Sequence, residues 1–237
     1  SYALITGASD GIGRALALEF AKWGFNIILH GRNPPKLAKV REEILALQKE
    51  KEKKKGKGKD VLLWVQDAAE DVDWPAVRKR FEQLEITVLV NNVGGSKLQT
   101  LSFDQQPLAD VTRTVHINAL FPFWLTHTLL PLLRQPYPTL LLNVGSMAGV
   151  IPPPHFAAYA GSKAFLDRFT HALDLDERIS GSQVKVHYLQ TATVLNSSGV
   201  MRRSLTVPSA EEYARGAVRV VGGTRRVVFP YWMHGLQ

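Results

Sequence analysis

Tyr159 and Lys163 stand four residues apart in Tyr159-Ala160-Gly161-Ser162-Lys163, Ser146 lies upstream, and the chain opens on Thr6-Gly7-Ala8-Ser9-Asp10-Gly11-Ile12-Gly13. On a helix this spacing brings both side chains onto one face, so an ammonium at Lys163 can lie beside the Tyr159 phenol and favour its ionised form. A free phenol titrates near about 10, so acid–base work near neutral pH needs such a charge close by. Ser146 can then hold a substrate oxygen. These residues suit a site where a proton reaches a carbonyl oxygen while hydride is transferred.

The glycine turn suits the other half of that chemistry. Gly7, Gly11 and Gly13 fall between a strand and a helix, where bare Cα atoms let backbone N–H groups approach a pyrophosphate at the helix N-terminus. Ser9, Asp10 and Ile12 belong to the same turn and are counted with it as dinucleotide contacts. At the end of the second strand, His30-Gly31-Arg32-Asn33 offers no carboxylate for a ribose 2′-hydroxyl. Arg32, with Asn33 beside it, can instead grip a 2′-phosphate, which favours NADP(H). Asp67, at the end of the third strand, is placed for an adenine amino group. No ligand cluster supports a metal site.

Elements that could position these residues follow from the patterning. Short apolar runs alternate with longer amphipathic stretches, the signature of an α/β fold: a Rossmann-type doubly wound parallel sheet with helices on both faces. Strands are expected at Tyr2 to Thr6, Asn26 to His30, Val61 to Gln66, Val88 to Val90, Thr139 to Val144, Val184 to Leu189 and Arg226 to Phe229. Helices are expected at Gly11 to Trp23, Pro34 to about Gln48, Trp74 to Leu84, a segment carrying Asn118, a segment carrying Tyr159 and running to about Ile179, and one near Ala210 to Val221. A loop with Asn196, Ser197, Ser198 and Gly199 separates the last two. Right-handed crossovers then gather the strand C-termini, and every motif above, along one edge.

At 237 residues with 45% hydrophobic content, the chain fits one dinucleotide-binding and catalytic domain with a well-filled core. It has no cysteine, so redox chemistry must come from a cofactor. No apolar run of membrane-spanning length occurs, so the chain as given is expected to be soluble. Only six residues precede Gly7, which suggests that an upstream segment is missing. The net charge of +8 is concentrated at residues 49–59, Lys-Glu-Lys-Glu-Lys-Lys-Lys-Gly-Lys-Gly-Lys, read as a solvated flexible insertion. Attraction to an anionic membrane surface is the second reading. Nucleic acid is set aside because no aromatic residues interleave with the lysines. Association with a second copy of the chain is left open.

Taken together, Thr6-Gly7-x-x-x-Gly11-x-Gly13, Asn91-Asn92-x-Gly94, Ser146 and Tyr159-x-x-x-Lys163 resemble the short-chain dehydrogenase/reductase family in order and spacing over nearly the whole chain. The resemblance implies that Asn118 completes a catalytic tetrad with Ser146, Tyr159 and Lys163, through a water that connects Lys163 to solvent. It also implies that Asn91 to Gly94 support the sheet and line the adenosine side. Within the family, Asn92-Val93-Gly94, Gly31-Arg32-Asn33-Pro34 and Pro230-Tyr231-Trp232-x-His234 resemble the microsomal 3-oxoacyl-CoA reductase and 17β-hydroxysteroid dehydrogenase branch. That branch implies NADPH and a lipophilic ketone, a 3-oxoacyl-CoA before a steroid, at the cytosolic face of the endoplasmic reticulum. Where the family has Pro-Gly followed by a threonine at the nicotinamide, this chain has Thr191-Ala192-Thr193-Val194, so Thr191 and Val194 are taken as the cofactor contacts. Asp10 stands where many NADP-dependent relatives carry a basic residue. A non-catalytic dinucleotide sensor is the competing class.

Overall fold

Strands β1 (Tyr2–Ile5), β2 (Asn26–Gly31), β3 (Val61–Val65), β4 (Ile86–Asn91), β5 (Thr139–Val144), β6 (Val184–Leu189) and β7 (Val227–Val228) form one sheet in the order β3-β2-β1-β4-β5-β6-β7. Every pairing is parallel. The computed structural model describes residues 1–55, 60–97, 100–195, 203–221, 223 and 227–235. Parallel strands covered on both faces must be apolar on both, and β4 is buried at all its positions. Alternation sends Val90 into one layer with Leu16, Phe20, Leu29 and Tyr213, and Leu89 into the other with Trp64, Phe81, Phe121 and Leu141.

Helices α1 (Gly11–Lys22), α2 (Pro34–Lys55), α3 (Trp74–Phe81), α4 (Leu108–Val115), α5 (Phe121–Leu133), α6 (Ala157–Ile179) and α7 (Ala210–Val220) cover the sheet. Several start on side-chain caps that satisfy otherwise orphaned amides. Asp10 accepts from Gly11 N, Asp73 from Ala76 N, and Ser209 and Glu212 form a reciprocal capping box. Because β1 pairs with both β2 and β4, the strand order reverses between β1 and β4. A crevice opens there at the strand C-termini, where ligands of such sheets bind.

Two elements differ from expectation. Helix α2 continues past Gln48 through Lys55, so the first part of the lysine run is helical; lysine and glutamate are good helix formers and the run contains no glycine until Gly56. Residues 56–59 lie outside the described residues, as do Asn196 to Gly199 and Arg226. Asn118 sits in a π-helical turn, His116–Leu120, wedged between α4 and α5. No helix among the described residues is long and apolar enough to cross a membrane.

Candidate active site

The turn between β1 and α1 is built so tightly that only glycine fits parts of it. A Cβ on Gly13 would stand 2.3 Å from Gly7 O and 2.5 Å from Asn92 Nδ2. Asn92 clasps the turn from β4: its Nδ2 donates to Thr6 O (2.8 Å), and its backbone N donates to Thr6 Oγ1 (2.8 Å). Asn91 points instead to the face covered by α5, where its Nδ2 donates to Asn143 Oδ1 on β5 (2.8 Å) and Thr126 Oγ1 on α5 (2.9 Å). These contacts join the glycine turn to the end of β4 across the crevice. The resulting cleft, about 470 Å³, is lined by Gly7, Asp10, Gly11 and Ile12 on one side and by Asn92, Gly94, Ser146, Tyr159, Lys163, Thr191 and Val194 further along. A methyl at Gly11 would meet nothing within 4 Å. A bare backbone facing open cleft at a helix N-terminus fits the pyrophosphate of a dinucleotide.

Arg32, Asn33 and Asp67 lie outside that lining, at the ends of β2 and β3. Arg32 Nη1 is 3.4 Å from Asp67 Oδ2, and Arg113 from α4 approaches Asp67 Oδ1 at 3.4 Å. Burial works to raise the Asp67 carboxyl, but the Ala69 amide and the two guanidiniums outweigh it and hold it below the ordinary carboxylate value. Asn33 Oδ1 accepts from Lys36 N (3.0 Å) and so caps α2. Ser9 lies behind Gly31, with its Oγ 3.7 Å from where a Cβ there would stand. Lys36, which sequence reading passed over, pairs with Asp10 at 3.3 Å. The Asp10 carboxylate is therefore shared between the α1 cap and an ammonium.

At the other end, β5 delivers Ser146 and α6 delivers Tyr159 and Lys163. Lys163 is almost fully buried, its Nζ 2.9 Å from Val144 O and 5.9 Å from the centre of the Tyr159 ring. Burial pushes the Lys163 ammonium down to about 8. Burial also raises the Tyr159 phenol above its usual value, with a hydrogen bond to Ser146 working the other way. The expected depression of Tyr159 by Lys163 is thus not what the protein alone displays, because loss of solvent outweighs the Ser146 hydrogen bond. A neutral phenol close to a serine hydroxyl can donate a proton to an oxygen held between them.

Asn118 is fully buried beneath this group. Its Oδ1 accepts from Gly95 N (2.9 Å), while its Nδ2 donates to Gly95 O and Thr114 O (both 2.8 Å). A Cβ on Gly94 would meet Asn118 Oδ1 at 2.5 Å and Lys163 Nζ at 3.4 Å. Glycine at 94 thus leaves to the carboxamide the space that a side chain there would take.

Beyond β6, Thr191 lines the cleft but its hydroxyl is engaged, donating to Leu189 O (3.0 Å) and lying 2.5 Å from Tyr213 OH. Its carbonyl accepts from Met147 N (2.7 Å), so the loop after β6 is tied to the turn carrying Ser146. Val194 packs against the core at the cleft wall. Sequence reading also missed Tyr188, treated there only as part of a strand. Its hydroxyl accepts from Ser146 N (3.1 Å) and donates to Lys163 O (3.3 Å). The available signal was a tyrosine on the strand beside the glycine that precedes Ser146. Among the described residues no group of three or more metal-binding side chains occurs.

A family model described as short chain dehydrogenase matches residues 1–206. The very-long-chain 3-oxoacyl-CoA reductase of Coccidioides immitis is 34% identical over 246 residues, spanning 100% of this chain and 67% of that protein. The corresponding protein of Kluyveromyces lactis is 34% identical over 251 residues, spanning 100% and 69%. Among solved structures, a short-chain dehydrogenase from Sphingobium yanoikuyae in complex with NADPH superposes with a TM-score of 0.82 at 25% identity, covering 98% of this chain and 88% of that one. The bulky-bulky ketone specific alcohol dehydrogenase of Comamonas testosteroni gives 0.81 at 23% identity, covering 97% and 85%. The match runs from the first residue past β6 and its relatives align along the whole chain, so this protein belongs to the short-chain dehydrogenase family and is an oxidoreductase.

Proposed function

We propose that the chain, acting as a single dinucleotide-binding and catalytic unit, is an NADPH-dependent reductase of a lipophilic ketone, a long-chain 3-oxoacyl-CoA in the first place. The observation that carries this reading is the meeting of Ser146, Tyr159 and Lys163 on the wall of the cleft that begins at the glycine turn. Gly7 to Gly13 would hold the pyrophosphate and Arg32 the 2′-phosphate, with Lys163 at the nicotinamide ribose and Thr191 and Val194 beside the nicotinamide. The bound nucleotide supplies hydride. Ser146 orients the ketone oxygen, and Tyr159 gives that oxygen its phenolic proton. Lys163 favours the phenolate left behind, and Asn118 fixes the backbone at Gly95 beside it.

The acyl-CoA assignment is supported by relatives that carry the name very-long-chain 3-oxoacyl-CoA reductase. It is also supported by Val150 and Ile151, which are 61% and 62% exposed just after the turn bearing Ser146 and offer an apolar surface to a chain. The test follows NADPH oxidation with 3-oxoacyl-CoAs, steroid ketones and small polar ketones at low and high salt. For an acyl-CoA, attraction of its phosphates to the basic chain predicts a KM that rises with salt, whereas an uncharged steroid ketone has no such term. Turnover of small polar ketones only rejects the lipophilic reading. Cofactor binding without any turnover identifies a dinucleotide sensor instead.

A further inference from the structure

We propose that Tyr188 is a positioning residue of this site: its hydroxyl, bonded to the Ser146 amide on one side and to the Lys163 carbonyl on the other, sets the separation between Ser146 and the Tyr159–Lys163 helix. The inference rests on the reductase reading above. Tyr188 belongs to β6, which contributes neither Ser146 nor Tyr159, yet its fully buried ring reaches the end of β5 and the first turns of α6. There the hydroxyl accepts from Ser146 N at 3.1 Å and donates to Lys163 O at 3.3 Å. A phenol has one proton and two lone pairs, so both bonds can be made at once. Burial pushes this phenol well above its usual value, with the Ser146 amide opposing, so it keeps its proton while the site works.

The fit is reciprocal. A Cβ at Gly145 would stand 2.0 Å from Tyr188 Cζ and 2.4 Å from its hydroxyl oxygen. The ring therefore occupies the space of a side chain at 145, and the glycine before Ser146 is the counterpart of the tyrosine on β6. Without the hydroxyl, the Ser146 amide loses its partner, and the turn that aims the serine is free to relax relative to α6. Displacement of reacting groups by about 1 Å can cost roughly 10²-fold in rate.

Tyr188→Phe keeps the ring and removes only the bridge. In the NADP+-bound chain the Ser146 amide should exchange with solvent slowly in the wild type and at least about tenfold faster in the variant. The variant should bind NADPH within about twofold of wild type and keep KM within about threefold, while kcat falls by about 10- to 100-fold. A lowered melting temperature with unchanged kcat would mean a purely structural role and overturn the proposal, as would equal Ser146 exchange in the two proteins. Should the variant not fold, fast exchange of the Ser146 amide in the wild type overturns the bridge and slow exchange supports it. The exchange measurement needs no substrate. If the wild type reduces no carbonyl, the reductase reading fails with it, whereas exchange still decides whether Tyr188 holds Ser146.

Discussion

Arg32 rests on Asp67 at 3.4 Å, so the cation expected to meet a 2′-phosphate is already positioned by a carboxylate from the loop that follows β3. The pair is solvent-facing, with Arg32 65% exposed, and such pairs are worth only about 0–1 kcal/mol. A phosphate taking the guanidinium in bidentate fashion is worth more. Arg32→Ala should therefore weaken NADPH by about 10- to 100-fold and leave NADH within about twofold, measured as dissociation constants by fluorescence titration. An equal loss for both nucleotides would assign Arg32 another role.

Replacing Tyr159 by Phe removes the proton donor at nearly constant volume. Turnover should fall by at least about 10²-fold while NADPH still binds, because Lys163 and the glycine turn remain. Retained turnover would sink the mechanism.

Much of this site was legible because its parts are local in sequence. The glycine turn sits between a strand and a helix, and a four-residue spacing on α6 places Tyr159 and Lys163 together without knowledge of the fold. Links between distant segments were not legible. The tyrosine at 188 and the glycine at 145 hint at a contact only once β5 and β6 are known to be neighbours, and Lys36 does not announce that it closes on Asp10. Burial was the second blind spot. Spacing alone suggested a depressed Tyr159 phenol, but desolvation, which depends on every neighbouring segment, raised it instead. Only the part of the lysine run before Gly56 departs from the loop reading, because its lysines and glutamates favour a helix by propensity.

Two glycines should respond oppositely to alanine. At Gly13 the new methyl would meet the Gly7 carbonyl oxygen at 2.3 Å, so Gly13→Ala should cost about 1–3 kcal/mol and abolish dinucleotide binding. At Gly161, inside α6, a methyl meets nothing within 4 Å, and Gly161→Ala should stabilise by about 0.5–1 kcal/mol. Urea denaturation of both variants, read alongside nucleotide titration, checks the contrast. A destabilised Gly161→Ala would mean that the helix surface there is not free.

His30 should make the protein acid-sensitive. It is fully buried beside Trp64 and Phe121, with no hydrogen-bond partner for either ring nitrogen among the described residues. Burial lowers its imidazole from 6.5 to about 3, with the charge of Asp67 opposing. The folded value lies below the unfolded one, so as pH falls the unfolded chain takes up the proton first. The stability contribution is present above about 6.5 and drains towards pH 3, by about 3 kcal/mol between pH 7 and pH 4. His30→Phe should flatten that part of the stability profile. An unchanged acid slope would show that the loss comes from other groups.

The π-helical turn at His116–Leu120 gives the helical segment a spare residue. A single widened turn absorbs one insertion without changing the phase of the helices on either side, so α4 and α5 keep the faces they present. Shortening the chain by one residue there could leave an unbroken helix with its apolar stripe, Leu125, Leu129 and Leu133, still against the sheet. What would be lost is the inward seat of the Asn118 carboxamide against Gly95. At this turn chain length, more than residue identity, separates a protein that merely folds from one whose cleft is furnished.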